Sequence, residues 1–195
     1  GCNLPDNLPI LSEEAAQMAK QMKNANKLEF GSYTVVFSVE SLSSLFEAFL
    51  PSLSGNWKRK KISLLHDKLG KKIISDKLTI HDDPLTSLAS CMPFDDEGTK
   101  SVKKTLFEKG VLKNFLFDRE SAALAGENHS GFCSRESYSS SPSIGTSNIS
   151  IESGNYSNFE EELGNFLFVK SLHGTHTSNT TTGDFGVEIS ASIYN

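Results

Sequence analysis

Apolar positions along this chain switch between a helical and a strand period, and the switches mark its elements. Ser12 can cap a helix, with Glu13 and Glu14 in the positive first turn and Ala15, Ala19 and Met22 at i, i+4 and i+7. That stripe predicts a helix to about Asn26. After the breaker Gly31, Tyr33–Phe37 is β-rich, and Ser38 caps a second helix carrying Leu42, Leu45, Phe46, Phe49 and Leu50 until Pro51 stops it. Residues 62–77 read as helical, and Leu78–Ile80 as a strand entering a turn at His81-Asp82-Asp83-Pro84. The runs 100–107 and 111–117 are rich in Val, Leu and Phe and are joined through Glu108-Lys109-Gly110. Such a gap signals an antiparallel hairpin with Gly110 at positive φ.

Further on, Asp118 caps a short helix that Gly126 ends. The serine-crowded stretch Ser134–Ser150 reads as a loop, ordered or disordered, rather than a core element. Asn148–Ile151 reads as a strand, and Ser157 with Glu160 as a capping box opening a helix toward Gly164. Phe166–Leu172 is another strand; after the loop His173–Thr182, Gly183-Asp184-Phe185 leads into a last strand through Ile193. Helices and strands mix without repeats or βαβ regularity. The predicted fold is α+β, β-rich and largely antiparallel, with hairpins and flanking helices.

Composition narrows the function classes. At 195 residues, 37% hydrophobic and 22% charged, the chain suits a soluble domain able to bury a core. Its formal charge of −5 gives no overall drive toward nucleic acid. The run Lys58-Arg59-Lys60-Lys61 beside Trp57 could grip phosphates, but in an acidic chain it reads as a solvated face. Cys2, Cys91 and Cys133 are not closely spaced, which argues against a disulfide framework or a four-ligand zinc site and points to the cytoplasm. A Gly-Cys start would fit a trimmed lipoprotein, a reading with no signal segment behind it. The sequons at Asn128, Asn148, Asn155 and Asn179 are expected by chance in a chain this rich in Asn, Ser and Thr. No apolar run nears the roughly 20 residues that span a bilayer.

Few residues offer chemistry. His173 and His176 are the closely spaced histidines; they suit metal binding or peptide contact, against solvated loop residues, and no third ligand lies near them in sequence. Asp95, Asp96 and Glu97 could hold a hard cation or share a proton, although such a run more often caps a turn. Cys133 is a conceivable nucleophile with no nameable base. Gly183 suits a positive φ, and Asp184 can accept backbone N–H bonds in the same turn.

Four blocks, in order over about residues 30 to 190, carry a family resemblance. They are Lys68-Leu69-Gly70-Lys71-Lys72 through Asp82-Asp83-Pro84; Pro93-Phe94-Asp95-Asp96-Glu97-Gly98 with the hairpin and Asp118–Ala122; Pro142–Asn148 with Glu152-Ser153-Gly154; and Leu172–Asn179 through Thr182-Gly183-Asp184-Phe185. Together they resemble the TldD/PmbA family, peptide-maturation metalloproteases also labelled modulators of DNA gyrase. The resemblance implies a β-rich C-terminal domain over residues 30–195, truncated at its end, with residues 1–29 a linker and helix leading in from a missing N-terminal domain. Zinc-bearing members carry His-Glu-x-x-x-His on a helix after the first strand. The corresponding stretch here, Phe37–Leu45, has no histidine, which is similar to the PmbA-like (TldE-like) members.

The resemblance further implies that this chain has no cofactor and no catalytic residue of its own. Zinc is expected in a TldD-like partner subunit, homo-oligomerisation being the other arrangement, and the substrate is an unfolded peptide. Neither membrane nor nucleic acid is an expected partner. Substrate- or partner-contact candidates are His173, Gly174, His176, Asn179, Gly183 and Asp184. The alternative is a non-enzymatic protein-binding module acting on gyrase. With no ligand helix, the purified chain is expected to bind no stoichiometric zinc. Elemental analysis finding one tightly held zinc per chain would overturn this and bring His173 and His176 forward as ligands.

Overall fold

The computed structural model describes residues 8–23, 25–86, 91–129, 131–154 and 159–194. The core is built around the hairpin. Strand β3 (Lys104–Glu108) pairs antiparallel with β4 (Val111–Leu112), Phe107 opposite Leu112. Lys109 and Gly110 form the two-residue tip, with φ of 45° and 78°. Two successive left-handed residues give the turn whose twist matches that of the flanking strands. Strand β2 (Ile80–Asp82) lies on the other side of β3, and β7 (Ile149–Ile151) completes the order β4-β3-β2-β7, antiparallel throughout. Ile80, Leu106 and Leu112 are buried here with Phe115, Leu116, Phe117 and Phe132.

The second sheet has the order β1-β8-β9, from Val35–Phe37, Phe166–His173 and Glu188–Tyr194. β1 joins β8 in parallel, and β9 pairs antiparallel. Helix α2 (Val39–Phe49) is fastened to this sheet by serines. The Ser38 side chain caps α2 by accepting the Ser41 N–H at 3.1 Å, while the Ser38 N–H and the Ser41 hydroxyl both donate to the Val169 carbonyl at 2.9 Å. The register of β8 against β9 shifts at that point, between Val169 and Ser171. A 3₁₀ turn, Leu50–Leu53, and helix α3 (Gly55–Arg59) then lead to the hairpin sheet. There Leu116 N–H donates to Leu53 O and Gly55 N–H to Leu116 O, at 2.9 and 2.6 Å. Two smaller parts complete the site's surroundings: helix α4 (Arg119–Ala125), capped by Asp118 and ended by left-handed Gly126, and a ribbon of β5 (Cys133–Ser134) with β6 (Ser143–Ile144). The α+β, largely antiparallel class matches expectation.

Several local expectations are corrected. Residues 62–77 form no α-helix. The N–H groups of His66, Lys68 and Lys71 close tight turns to carbonyls three residues back, and the rest of the ladder goes to the hairpin: Gly70 N–H to Leu112 O, Leu112 N–H to Lys71 O, and Ile73 N–H to Gly110 O, at 2.8–3.1 Å. Tertiary pairing has overridden helix propensity. His81 and Asp82 lie within β2 rather than in a turn. Helix α1 spans Leu8–Lys23, so Ser12 is interior, its hydroxyl donating to Pro9 O at 2.8 Å. The hairpin strands are shorter than the apolar runs. Ser143–Ile144 is a strand inside the serine-rich stretch, which is ordered. Ser157 lies outside the described residues; the helix that follows it, α5, spans Phe159–Leu163. Among the described residues no helix is long and apolar enough to cross a membrane.

A Cβ at Gly110 would sit 2.3 Å from the Ile74 carbonyl oxygen, whereas one at Gly70 (φ +77°) would meet nothing within 4 Å. Gly110→Val should therefore cost about 3 kcal/mol or more in urea denaturation, and Gly70→Ala only about 1 kcal/mol from backbone strain. Equal losses at the two positions would show that the close approach to residue 74 contributes nothing.

Candidate functional site

The acidic residues singled out by sequence hold the chain together. Asp82, with no exposed surface, accepts the Ser147 N–H at 3.0 and 3.1 Å, the Asn148 N–H at 2.9 Å and the Ser147 hydroxyl. Asp83 adds backbone and side-chain bonds to Asn148 at 3.0 and 3.2 Å. Asp95 is buried, and its carboxylate accepts N–H groups of Glu97, Thr99 and Cys133 at 3.0, 2.8 and 3.2 Å. Asp96 accepts from Arg135 N–H at 2.7 Å and Glu97 from Arg119 N–H at 2.9 Å. The two buried carboxylates, Asp82 and Asp95, thus have their desolvation compensated by backbone donors.

Donor atoms of Asp95, Glu97 and Cys133 lie within 4.8 Å of one another, which is close enough for a metal. The chemistry of the set argues for a turn lock instead. Both carboxylates already accept backbone N–H bonds, and the Cys133 thiol is held protonated. Burial first, then the neighbouring Glu97, Asp95 and Asp118 carboxylates, push its pKa far above the ordinary thiol range. A thiol so placed is a poor nucleophile and a poor ligand.

The predicted loop divides into two parts. Asn179 organises a closed turn: its Oδ1 accepts from Thr181 and Thr182 N–H at 3.0 and 3.2 Å, and its carbonyl accepts from Gly183 N–H at 2.8 Å. The Asn179 N–H donates to Asp184 O at 2.8 Å, and the Asp184 carboxylate accepts the Thr182 hydroxyl at 2.7 Å. Gly174 and Gly183 have φ of 82° and 83°. His173 ends β8, its Nε2 3.3 Å from Ser171 Oγ, and His176 is exposed on the 3₁₀ turn Thr175–Thr177. Phe185 packs edge-on against Phe49 of α2 at 5.8 Å, and Ser52 donates to Thr180 O at 3.1 Å. The structure therefore brings Asn179, Gly183 and Asp184 together as scaffold, with His173, Gly174 and His176 beside it. Phe185 also lines an apolar hollow with Val35, Phe37, Leu45, Leu172 and Ile189.

The larger concavity is one that sequence reasoning missed. A groove runs between Glu47, Leu50 and Pro51 at the end of α2, Ser54, Asn56 and Trp57 on α3 and its cap, Leu116 and Asp118, and the segment Pro142–Thr146. Among the described residues its lining holds two carboxylates, an indole and an amide, and no imidazole or thiol. Asp118 was legible only as a helix cap. Glu47 lies on the polar face of α2 with Glu40 and Ser43, where a solvated charge gives no signal. Of the basic cluster, Lys58 pairs with Glu127 at 3.4 Å over the Phe115 and Phe117 rings, and Arg59 bonds Asn56 at 3.2 Å, so both are engaged within the fold.

Comparison with known proteins gives a consistent picture. Residues 30–195 match the family described as the PmbA/TldA metallopeptidase C-terminal domain. A metalloprotease of Archaeoglobus fulgidus is 30% identical over 189 residues, 95% of this chain and 44% of that protein. Metalloprotease PmbA of Escherichia coli O157:H7 is 28% identical over 174 residues, 88% of this chain and 36% of that protein. The crystal structure of TldE from Thermococcus kodakarensis superposes with a TM-score of 0.82 at 27% identity, covering 96% of this chain and 46% of that one. The chain thus spans less than half the length of each. With a family match over residues 30–195 and this likeness of fold, the chain belongs to the PmbA/TldD metallopeptidase family.

Proposed function

We propose that this chain is a zinc-free subunit of a TldD/PmbA-type metallopeptidase assembly that acts on unfolded peptides, in maturation or degradation. The observation that carries the reading is the composition of the large groove, where carboxylates, Trp57 and Asn56 converge without an imidazole or a thiol. Such a lining can hold a peptide but offers no zinc-ligand set of the His-rich catalytic type. Helix α2, at the head of that groove, likewise carries serine, leucine, phenylalanine, glutamate and alanine but no histidine.

In this reading a TldD-like partner, or a second copy in a homo-oligomer, supplies the metal and the bond-breaking. This chain contributes positioning, which alone can account for large rate factors. Apart from that groove, the loop from His173 to Phe185 lines a second groove shared with the partner, or the subunit contact beside it, with Asn179, Gly183 and Asp184 as its frame and His173, Gly174 and His176 as its contact face. Cytoplasmic location belongs to the same proposal and rests on cysteine usage; the described thiols, Cys91 and Cys133, are unpaired.

The test compares cleavage of an unstructured peptide by the chain alone, by its pair with a zinc-bearing relative, and by a pair carrying His173→Ala with His176→Ala. The expected result is no cleavage by the chain alone and cleavage by the pair. The mutant pair should be about 10- to 100-fold slower with the partner's zinc retained. Robust, chelator-insensitive cleavage by the chain alone would overturn the partner-subunit reading.

A further inference from the structure

Strand side chains alternate between faces, so a cleft lying under one face meets every second residue. The large groove instead meets both residues of β6, Ser143 and Ile144, together with the flanking Pro142, Gly145 and Thr146, and so follows the strand's edge. That edge is open among the described residues. The ribbon has the order β5-β6 alone, with Cys133 opposite Ile144. Gly145 N–H donates across it to Phe132 O at 2.9 Å. Bonded and non-bonded positions alternate in an antiparallel ladder, so Ile144, beside bonded Gly145, turns its own N–H and C=O away from β5 toward the groove. An unpaired edge of this kind is a template for an added strand.

Charge specifies what would bind there. The ionisable groups in the lining are Glu47 and Asp118, both acidic. Asp118 uses Oδ1 to cap α4, accepting Ser121 N–H at 2.6 Å, and Glu47 is exposed. Trp57 adds a flat indole on which a cation can rest. The edge is also preorganised, because the Asp82 clasp on Ser147 and Asn148 fixes the chain where it leaves the groove.

We propose that the groove takes an extended peptide segment as an added strand on β6, with a Lys or Arg side chain held between Glu47 and Asp118. The inference rests on the peptide-handling function proposed above and narrows its substrate to extended segments bearing a cation. Fluorescence anisotropy of the intact protein tests it, using labelled Ser/Ala/Thr peptides of roughly nine residues with a central Arg, norleucine or Glu. The Arg peptide should bind about tenfold tighter than the norleucine peptide, and the Glu peptide weakest of the three. Glu47→Gln, and Asp118→Asn, which keeps an N-capping side chain, should each lessen the Arg preference without changing the melting temperature. N-methylation of alternate peptide nitrogens should abolish binding in one register and spare it in the other. Equal affinity for the three peptides overturns the proposal, as does an Arg preference indifferent to N-methylation in both registers. A reconstituted pair that cleaves Arg- and Glu-centred peptides equally would sustain the proposed function and sink this inference. Selective binding without cleavage by any pair would do the reverse.

Discussion

The fold depends on a carboxylate with no solvent. An ion taken out of water is tolerated only where donors replace its hydration shell. Asp82 meets that condition through Ser147 N–H, Ser147 hydroxyl and Asn148 N–H. The pairing joins the central strand β2 to a segment more than sixty residues later in the chain. It sets the start of β7, whose Ile149 and Ile151 pair with β2 and pack on the core. It also fixes the exit from β6, so the groove edge stands in a single place. Asp95 does the same for the far end of the ribbon by accepting Cys133 N–H. Each hydrogen bond to a charged group is worth about 1.5–3 kcal/mol, which makes these two aspartates larger contributors than the surface ion pairs nearby.

Helix α2 connects the two concave regions. Its serines fasten its first turn to β8, Leu45 lines the apolar hollow with Phe185, and Glu47 and Leu50 line the large groove. The loop bearing His173 and His176 and the groove bearing Trp57 and Asp118 thus lie on different sides of one element. A peptide held in the groove and a subunit seated on the loop would both bear on α2. The structure supplies rigid backbone at each place, which suits positioning.

What was legible in the sequence was local. Ser38 and Asp118 were read as caps and Gly110 and Gly126 as left-handed residues because each acts on bonds within a few positions of itself. Residues 62–77 were misread because the N–H groups of Gly70, Ile73 and Ile74 bond to the hairpin, a partner that no helical period reveals. Asp82 and Ser147 stood out only as parts of the family blocks and Asp95 also as a turn cap, which its bonds to Glu97 and Thr99 N–H match; the contacts of all three across the fold were invisible in one dimension. The groove was missed for the same reason: it draws single residues from α2, α3, the Asp118 cap and β6. In the loop, Gly183 has the positive φ read for it, and Asn179, Gly183 and Asp184 bond chiefly to one another and to neighbouring threonines.

Whether the Asp82 carboxylate holds the groove edge in place can be measured by amide hydrogen exchange of the wild type and of Asp82→Asn. Losing the charge should weaken local protection by about 3 kcal/mol, so amides across residues 143–148 should exchange about a hundredfold faster. Amides of α2 and β8, fastened by the separate Ser38 and Ser41 bonds, should keep their rates. Unchanged exchange across residues 143–148 in a folded Asp82→Asn protein would contradict the account.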